Sequence, residues 1–248
     1  MKKALFFMSV LVLGTSAAFA ANPFDEFRNQ VGPGVLKDVA QKNLDNFAKD
    51  VGALLGSGAA HQGKALGLPG FDVGIHVPGK KISDDDTIVK AAGLDTVYLP
   101  VIQAEIGLPK KVDLIGRFSS YQDSNLIGFG LRYGILKGGF PGLPSLSVQA
   151  IYNSLNVNAN DNKLKATTLS AAATLSIDLP AITPYLSAGI DSTTVDPDST
   201  ISTLQGKATG YRVEAGVNLS LFPLTYLQLG GGLINGDMSY TAGLGIKY

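Results

Sequence analysis

From Phe71 to Tyr248 the apolar residues recur at every second position, over one segment after another. A period of two is that of a β-strand with two different faces. Ten segments carry it: 71–77, 95–107, 111–120, 125–136, 145–155, 166–178, 182–191, 209–221, 224–234 and 238–248. Most have the length that a tilted strand needs to cross a bilayer. The faces are unequal in a particular way. Tyr211, Val213, Ala215, Val217, Leu219 and Leu221 alternate with Arg212, Glu214, Gly216, Asn218 and Ser220. In the last segment Tyr240, Ala242, Leu244, Ile246 and Tyr248 alternate with Ser239, Thr241, Gly243, Gly245 and Lys247. A water-facing sheet would carry dense Lys and Glu on its polar face. Here Gly, Ser, Thr, Asn and Gln dominate it. No charge occurs from Ala215 to Gly236, and only Asp178 is charged between Lys165 and Asp191. An apolar exterior against lipid and a crowded polar interior satisfy that pattern. In lipid the sheet must close, because open-edge amides would have no partner.

Composition agrees. Charged residues make up 16% of the 248, below the usual value of about 25%. The formal net charge is zero, which argues against a nucleic-acid partner. There is no Cys, so disulfides, thiolate metal sites and a cysteine nucleophile are excluded. The connections are asymmetric. Those at 108–110, 138–144, 179–181 and 222–223 are short and contain proline, whereas 78–94, 156–162 and 192–208 are longer and polar. Short turns on one side and longer loops on the other is the layout of outer-membrane barrels, with both barrel ends on the short-turn side.

The first 20 residues read as an export signal: Lys2 and Lys3, an apolar run from Leu5 to Leu13, then Ala18-Phe19-Ala20 before a cleavage at Ala21. Residues 35–55 switch to helical spacing. Val35, Leu36, Val39, Leu44, Phe47, Val51, Leu54 and Leu55 form one stripe. Lys37, Asp38, Lys42, Asp45, Lys49 and Asp50 take the other face, and Gly56-Ser57-Gly58 ends the helix. A lone amphipathic helix must dock on something. The expected fold is all-β: an antiparallel transmembrane β-barrel of about ten strands over 69–248, within a range of 8 to 12. It is preceded by one amphipathic helix in 21–68 that either plugs the lumen or caps it from the short-turn side.

At this point the chain resembles Gram-negative outer-membrane β-barrel proteins. Thr241, Gly243, Ile246 and Tyr248 look like the C-terminal signal read by the barrel assembly machinery, with Tyr248 where Phe is usual. The stretch from Ser57 to Phe71 resembles the helix-to-barrel junction of an uncharacterised barrel family. It is also faintly similar to the plugged long-chain fatty-acid transporters, although no functional residue of theirs is matched. The resemblance implies the outer membrane of a Gram-negative bacterium, with outer-membrane lipid and lipopolysaccharide around a monomeric barrel.

Few residues speak of chemistry. His76, Glu105, Asp113, Arg117, Arg132, Asp178, Arg212 and Glu214 fall on the polar face and are expected to form a lumen network, either as a selective constriction or as interior ion pairs. Serines are plentiful, but nothing pairs one with His61 or His76 for nucleophilic catalysis. Asp84, Asp85, Asp86, Asp191, Asp196 and Asp198 enrich the long loops in carboxylates without the spacing of a calcium loop, and are expected to be solvated. No catalytic residue, metal or cofactor is expected. The leading expectation is passive transport of small, even hydrophobic, molecules with the helix as plug, using a lateral opening where Pro100 or Pro184 interrupts pairing. A structural or surface-interaction barrel with a closed lumen is the alternative, and a lipid-acting enzyme comes third.

Overall fold

The computed structural model describes residues 23–121, 123–138, 141–159 and 162–248. The export signal lies outside them. Two helices come first, α1 (Pro23–Val31) and α2 (Lys37–Gly56). Strand β1 (Phe71–Lys81) follows, then a short helix α3 (Thr87–Ala91) and a three-residue strand β2 (Thr96–Tyr98). The wall continues as β3 (Val101–Leu108), β4 (Val112–Tyr121), β5 (Ser124–Leu136), β6 (Pro144–Ala159) and β7 (Asn162–Ile177). It ends with β8 (Ile182–Pro197), β9 (Gly206–Leu219), β10 (Thr225–Ile234) and β11 (Asp237–Lys247).

Every wall strand pairs antiparallel with its sequence neighbour, and β11 pairs with β1 from Asp72↔Lys247 to Lys80↔Ser239. The sheet is therefore a closed barrel of ten strands. The short β2 and β3 together make one wall strand, broken at Leu99-Pro100, where Pro100 has no amide hydrogen to donate. Ladder pairing of β8 with β9 runs through Pro184, whereas the pairing of β8 with β7 stops one residue short of it, at Ser176↔Tyr185.

Burial is inverted relative to a water-soluble protein. Ile75, Ile106, Phe118, Phe129 (64% exposed), Leu131, Leu169 and Leu244 face outward, while Gln103, Arg132 (0%), Asn153, Thr168, Ser187 and Gln228 are buried inside. An exposed apolar band of this extent is stable only against hydrocarbon. The exterior tyrosines Tyr98, Tyr121, Tyr133, Tyr211, Tyr240 and Tyr248 add amphipathic rings to it.

One end of the barrel holds the connections 109–111, 137–143, 178–181 and 220–224. The other end holds the 82–100 loop with α3, the 198–205 loop and the tight turns. Strands reach further toward that second end than the sequence suggested. Residues 156–159 and 192–197, read as loop, belong to β6 and β8. The cause lies inside the lumen. Near this end the inward positions become apolar (Leu126, Leu155, Val157, Leu164, Ala166, Val195) and pack on Phe27, Val31, Leu44 and Ala48 of the helices. The helices thus extend the sheet by giving its upper rim a core.

Helix α2 enters at this long-loop mouth and descends along the inner faces of β7, β8 and β9. Its docked face uses glycine for close approach. A Cβ on Gly52 would fall 2.9 Å from Cβ of Thr193, and one on Gly56 would fall 2.5 Å from Arg212 Nη1. After Ser57 the chain runs through the lumen to Phe71 at the short-turn end, where the Phe71 amide donates to the Tyr248 carbonyl (3.0 Å). The helix is therefore inside the barrel, reaching in from the end opposite the one where a cap was expected. Asp50 departs from its expected water-facing side and is buried against β1.

A charge on the lipid-facing side separates this inside-out arrangement from an ordinary sheet. Leu131→Arg is expected to cost about 2–4 kcal/mol of folding free energy, measured by urea titration in lipid vesicles, whereas Leu131→Ile changes it little.

Candidate functional site in the occupied lumen

The lumen is lined by the inward residues of ten strands and filled by residues 44–67. Strand periodicity places the wall groups. Apart from Arg132, whose row holds Gly128, Gly130 and Gly134, each charged residue of the wall sits two, four or six positions from another inward polar group, so polar rows converge on the axis.

Near the long-loop mouth, Lys80 Nζ is 2.8 Å from Asp50 Oδ1 of α2 and 3.0 Å from Asp237 Oδ2. The Ser83 amide donates to Asp50 Oδ2 (2.9 Å). At mid-depth Arg212 is ion-paired with Asp191 and Glu214, Ser57 Oγ donates to Glu214, and Ser170 Oγ donates to Asp191 (2.6 Å). Arg117 donates to the carbonyls of Leu55 and Ser57, the latter at 3.1 Å. It thereby closes the C-terminal end of α2, where unpaired carbonyls favour a cation.

Closer to the short turns lie two further clusters. Arg132 pairs with both Glu105 and Asp113. Asp113 also accepts the amide hydrogens of Leu66 (3.1 Å) and Gly67 (3.4 Å). In the other cluster His61 Nε2 is 3.2 Å from Asp72 Oδ2, and Tyr226 donates its hydroxyl to Asp72 Oδ1 (2.8 Å). His76 Nδ1 lies 2.6 Å from Gln228 Oε1, and Gln228 donates to the Tyr185 hydroxyl (2.8 Å). The two imidazoles are 4.8 Å apart between ring centres.

Of the eight residues expected in the lumen, seven are buried there: His76, Glu105, Asp113, Arg117, Arg132, Arg212 and Glu214. Asp178 is not. It follows the last residue of β7, stands half-buried at the short-turn rim and pairs with Lys64 (3.0 Å). Asp191 makes the reverse move, from an expected loop to the lumen, and the period of two through Thr183, Tyr185 and Ser187 already pointed inward at it. Asp50, Asp72, Lys80, Tyr226 and Gln228 also belong to the network. The C-terminal residues follow their alternation: Thr241 is inward and Ile246 and Tyr248 are outward, with Gly243 on the inward row beside Gln228 and His76.

Backbone atoms of the filling segment carry much of the contact. Gln103 donates to the Ala59 carbonyl (3.1 Å), Asn218 to that of His61 (2.9 Å), and the Gly63 amide donates to Ser176 Oγ (2.9 Å). A Cβ on Gly63 would lie 2.7 Å from the Thr174 carbonyl oxygen, so only glycine lets the chain pass that close to the wall.

The loop outside the membrane span has its own electrostatics. Asp86 caps α3 by accepting from the Ile88 and Val89 amides, both at 3.1 Å. Burial pushes its carboxyl up to about 7. Its contribution to stability is therefore full below the ordinary aspartate value and is lost as pH rises toward 7. Asp84 and Asp95 both pair with Lys90, and those hydrogen bonds hold Asp95 below the usual range and raise Lys90. Asp198 is lowered by hydrogen bonds from Thr200. No cluster of three or more metal-ligating side chains occurs among the described residues.

Removing the central cation of one cluster tests how the interior is balanced. Arg132→Met is expected to destabilise the barrel by about 3–5 kcal/mol, because Glu105 and Asp113 stay buried together without it. Adding Glu105→Gln and Asp113→Asn to that variant is expected to restore most of the loss in the same urea titration.

Comparison with known proteins follows the geometry. No curated protein matches the sequence. Among solved structures, the COG4313 outer membrane channel from Pseudomonas putida F1 shares 11% identity at a TM-score of 0.42, over 75% of this chain and 99% of that one. The KdgM porin, also solved with disordered oligogalacturonate, shares 8% at 0.40 over 71% and 99%. The N-terminal β-barrel domain of Pseudomonas aeruginosa OprF shares 16% at 0.32 over 75% and 100%. A closed, inside-out barrel of antiparallel strands is the outer-membrane architecture, and the family model spanning residues 86–229, more than half of the chain, completes the assignment: this outer-membrane β-barrel belongs to a family of unknown function, DUF6588.

Proposed function

We propose that this barrel is a channel for small polar solutes, closed by its own N-terminal segment 23–70 acting as a plug. One observation carries the reading. The wall along the path of residues 57–67 is mostly polar, with Ile115 and Ile151 packed on Ala59 as an apolar patch, and the occupant of that path joins the barrel covalently where it enters β1. Wall side chains hold it through backbone and side-chain hydrogen bonds, about 1 kcal/mol net for a neutral one and about 1.5–3 kcal/mol for those of Asp113 and Arg117, because water replaces each when the segment leaves. The polar lining favours hydrated solutes over the apolar cargo that the sequence left open.

The reading is not an enzymatic one. His76 bonds Gln228 and His61 bonds Asp72, and no serine hydroxyl is hydrogen-bonded to either ring among the described residues. A closed-lumen structural barrel is the second reading. It is favoured by the tight glycine contacts at Gly52, Gly56 and Gly63, which fit the segment to the wall as closely as a packed core.

A reversible lock separates the two. The chain has no cysteine of its own, so a single pair can be introduced. Gly52→Cys with Thr193→Cys would place two Cβ atoms near 2.9 Å, short of the disulfide range of about 3.5–4.5 Å, and the nearest contacts of the new Cβ are all with the Thr193 side chain that is itself replaced. In planar bilayers, the channel reading expects opening events from the reduced variant that vanish on oxidation and return with reductant. Silence from both forms, with the barrel folded, supports the closed-lumen reading instead.

A further inference from the structure

The two ends of the barrel differ in charge. At the short-turn end stand Lys64, Lys110, Lys111, Lys137 and Lys247, and the side-chain carboxylate of Asp178 at this rim is already paired with Lys64. Lys110, Lys111 and Lys137 sit on two adjacent connections and are exposed. The long-loop end mixes both signs, with Lys90 held between Asp84 and Asp95.

Two further features bear on what this rim meets. Lys110 and Lys111 both have left-handed backbone, with φ of 62° and 64°. The tight turn at the other end with the same requirement uses Asn235-Gly236, the residue types that suit it. Two lysines therefore occupy positions that backbone preference alone would not give them. The remaining connections of the rim are apolar, with Leu179, Leu221, Phe222 and Leu224 exposed at their tips. Cations beside exposed apolar tips are the combination that suits a membrane interface, since the tips reach acyl chains while the ammonium groups stay among headgroups. A soluble anion would make no use of those tips.

We propose that the short-turn rim is a binding surface for anionic phospholipid headgroups, with Lys110, Lys111 and Lys137 as the phosphate contacts. The surface is independent of whether the lumen opens. It concerns the lipid leaflet around that rim, which in outer-membrane barrels is the periplasmic one.

The test uses the full-length protein in vesicles of phosphatidylcholine with about one part in ten phosphatidylglycerol, extracted as polymer-bounded discs whose lipids are then quantified. Phosphatidylglycerol is expected to be enriched roughly fivefold over the bulk, the order set by a lysine contact at a charged surface. The variant Lys110→Asn, Lys111→Gly, Lys137→Gln is expected to return to the bulk ratio. Its turn residues suit the left-handed backbone, so its thermal stability should not fall. A matched variant at the opposite rim, Lys163→Gln, Lys165→Gln, Lys207→Gln, keeps the enrichment. Bulk composition around the unmodified protein, equal loss in both variants, or abolition by millimolar inorganic phosphate with the same millimolar chloride as control would each overturn the proposal.

Discussion

Backbone hydrogen bonding in a medium without water governs this structure. Within hydrocarbon every wall amide and carbonyl needs a partner, and pairing β11 back onto β1 supplies the last set. Closure in turn decides where side chains go. The period of two sends apolar residues to lipid and polar ones to the axis, so ten rows of polar groups converge in a space too narrow for much bulk water.

That convergence creates a second problem, which the N-terminal segment resolves. Buried guanidinium and carboxylate groups must be matched. Arg132 finds Glu105 and Asp113 on neighbouring strands, while Arg212 finds Asp191 and Glu214. Arg117 has no wall carboxylate among its hydrogen-bond partners. It turns to Asn153 and to the carbonyls at the end of α2. Lys80 is shared between Asp237 of the wall and Asp50 of the same helix. Segment and wall are therefore one electrostatic unit, and the apolar upper rim adds a small hydrophobic core where the helices enter.

Much of the wall was legible in the sequence, because alternation, proline-bearing turns and sparse charge are local signals. All ten wall strands sit close to where the period of two put them. The interior was legible in rows and not in partners: Arg132 was known to point inward, but no spacing says that Asp113 and Glu105 meet it rather than solvent. The strand ends at 156–159 and 192–197 were missed because their inward residues are apolar for the sake of α1 and α2, a tertiary contact with no local signature. Asp178 was misplaced since it stands one residue past the last paired position of β7, where the chain turns and parity stops applying. Asp50 looked like part of a water-facing stripe; a buried lysine on β1 gave it a partner that helical spacing cannot reveal.

Amide hydrogen exchange of the lipid-embedded protein tests the central claim, that residues 57–67 are an integral part of the barrel interior, most directly. The amides of Gly63 and Leu66, bonded to Ser176 and Asp113, are predicted to exchange as slowly as those of the surrounding strands. Exchange as fast as that of the exposed 198–205 loop, with the strands still protected, would contradict the account by showing a segment that does not reside in the lumen.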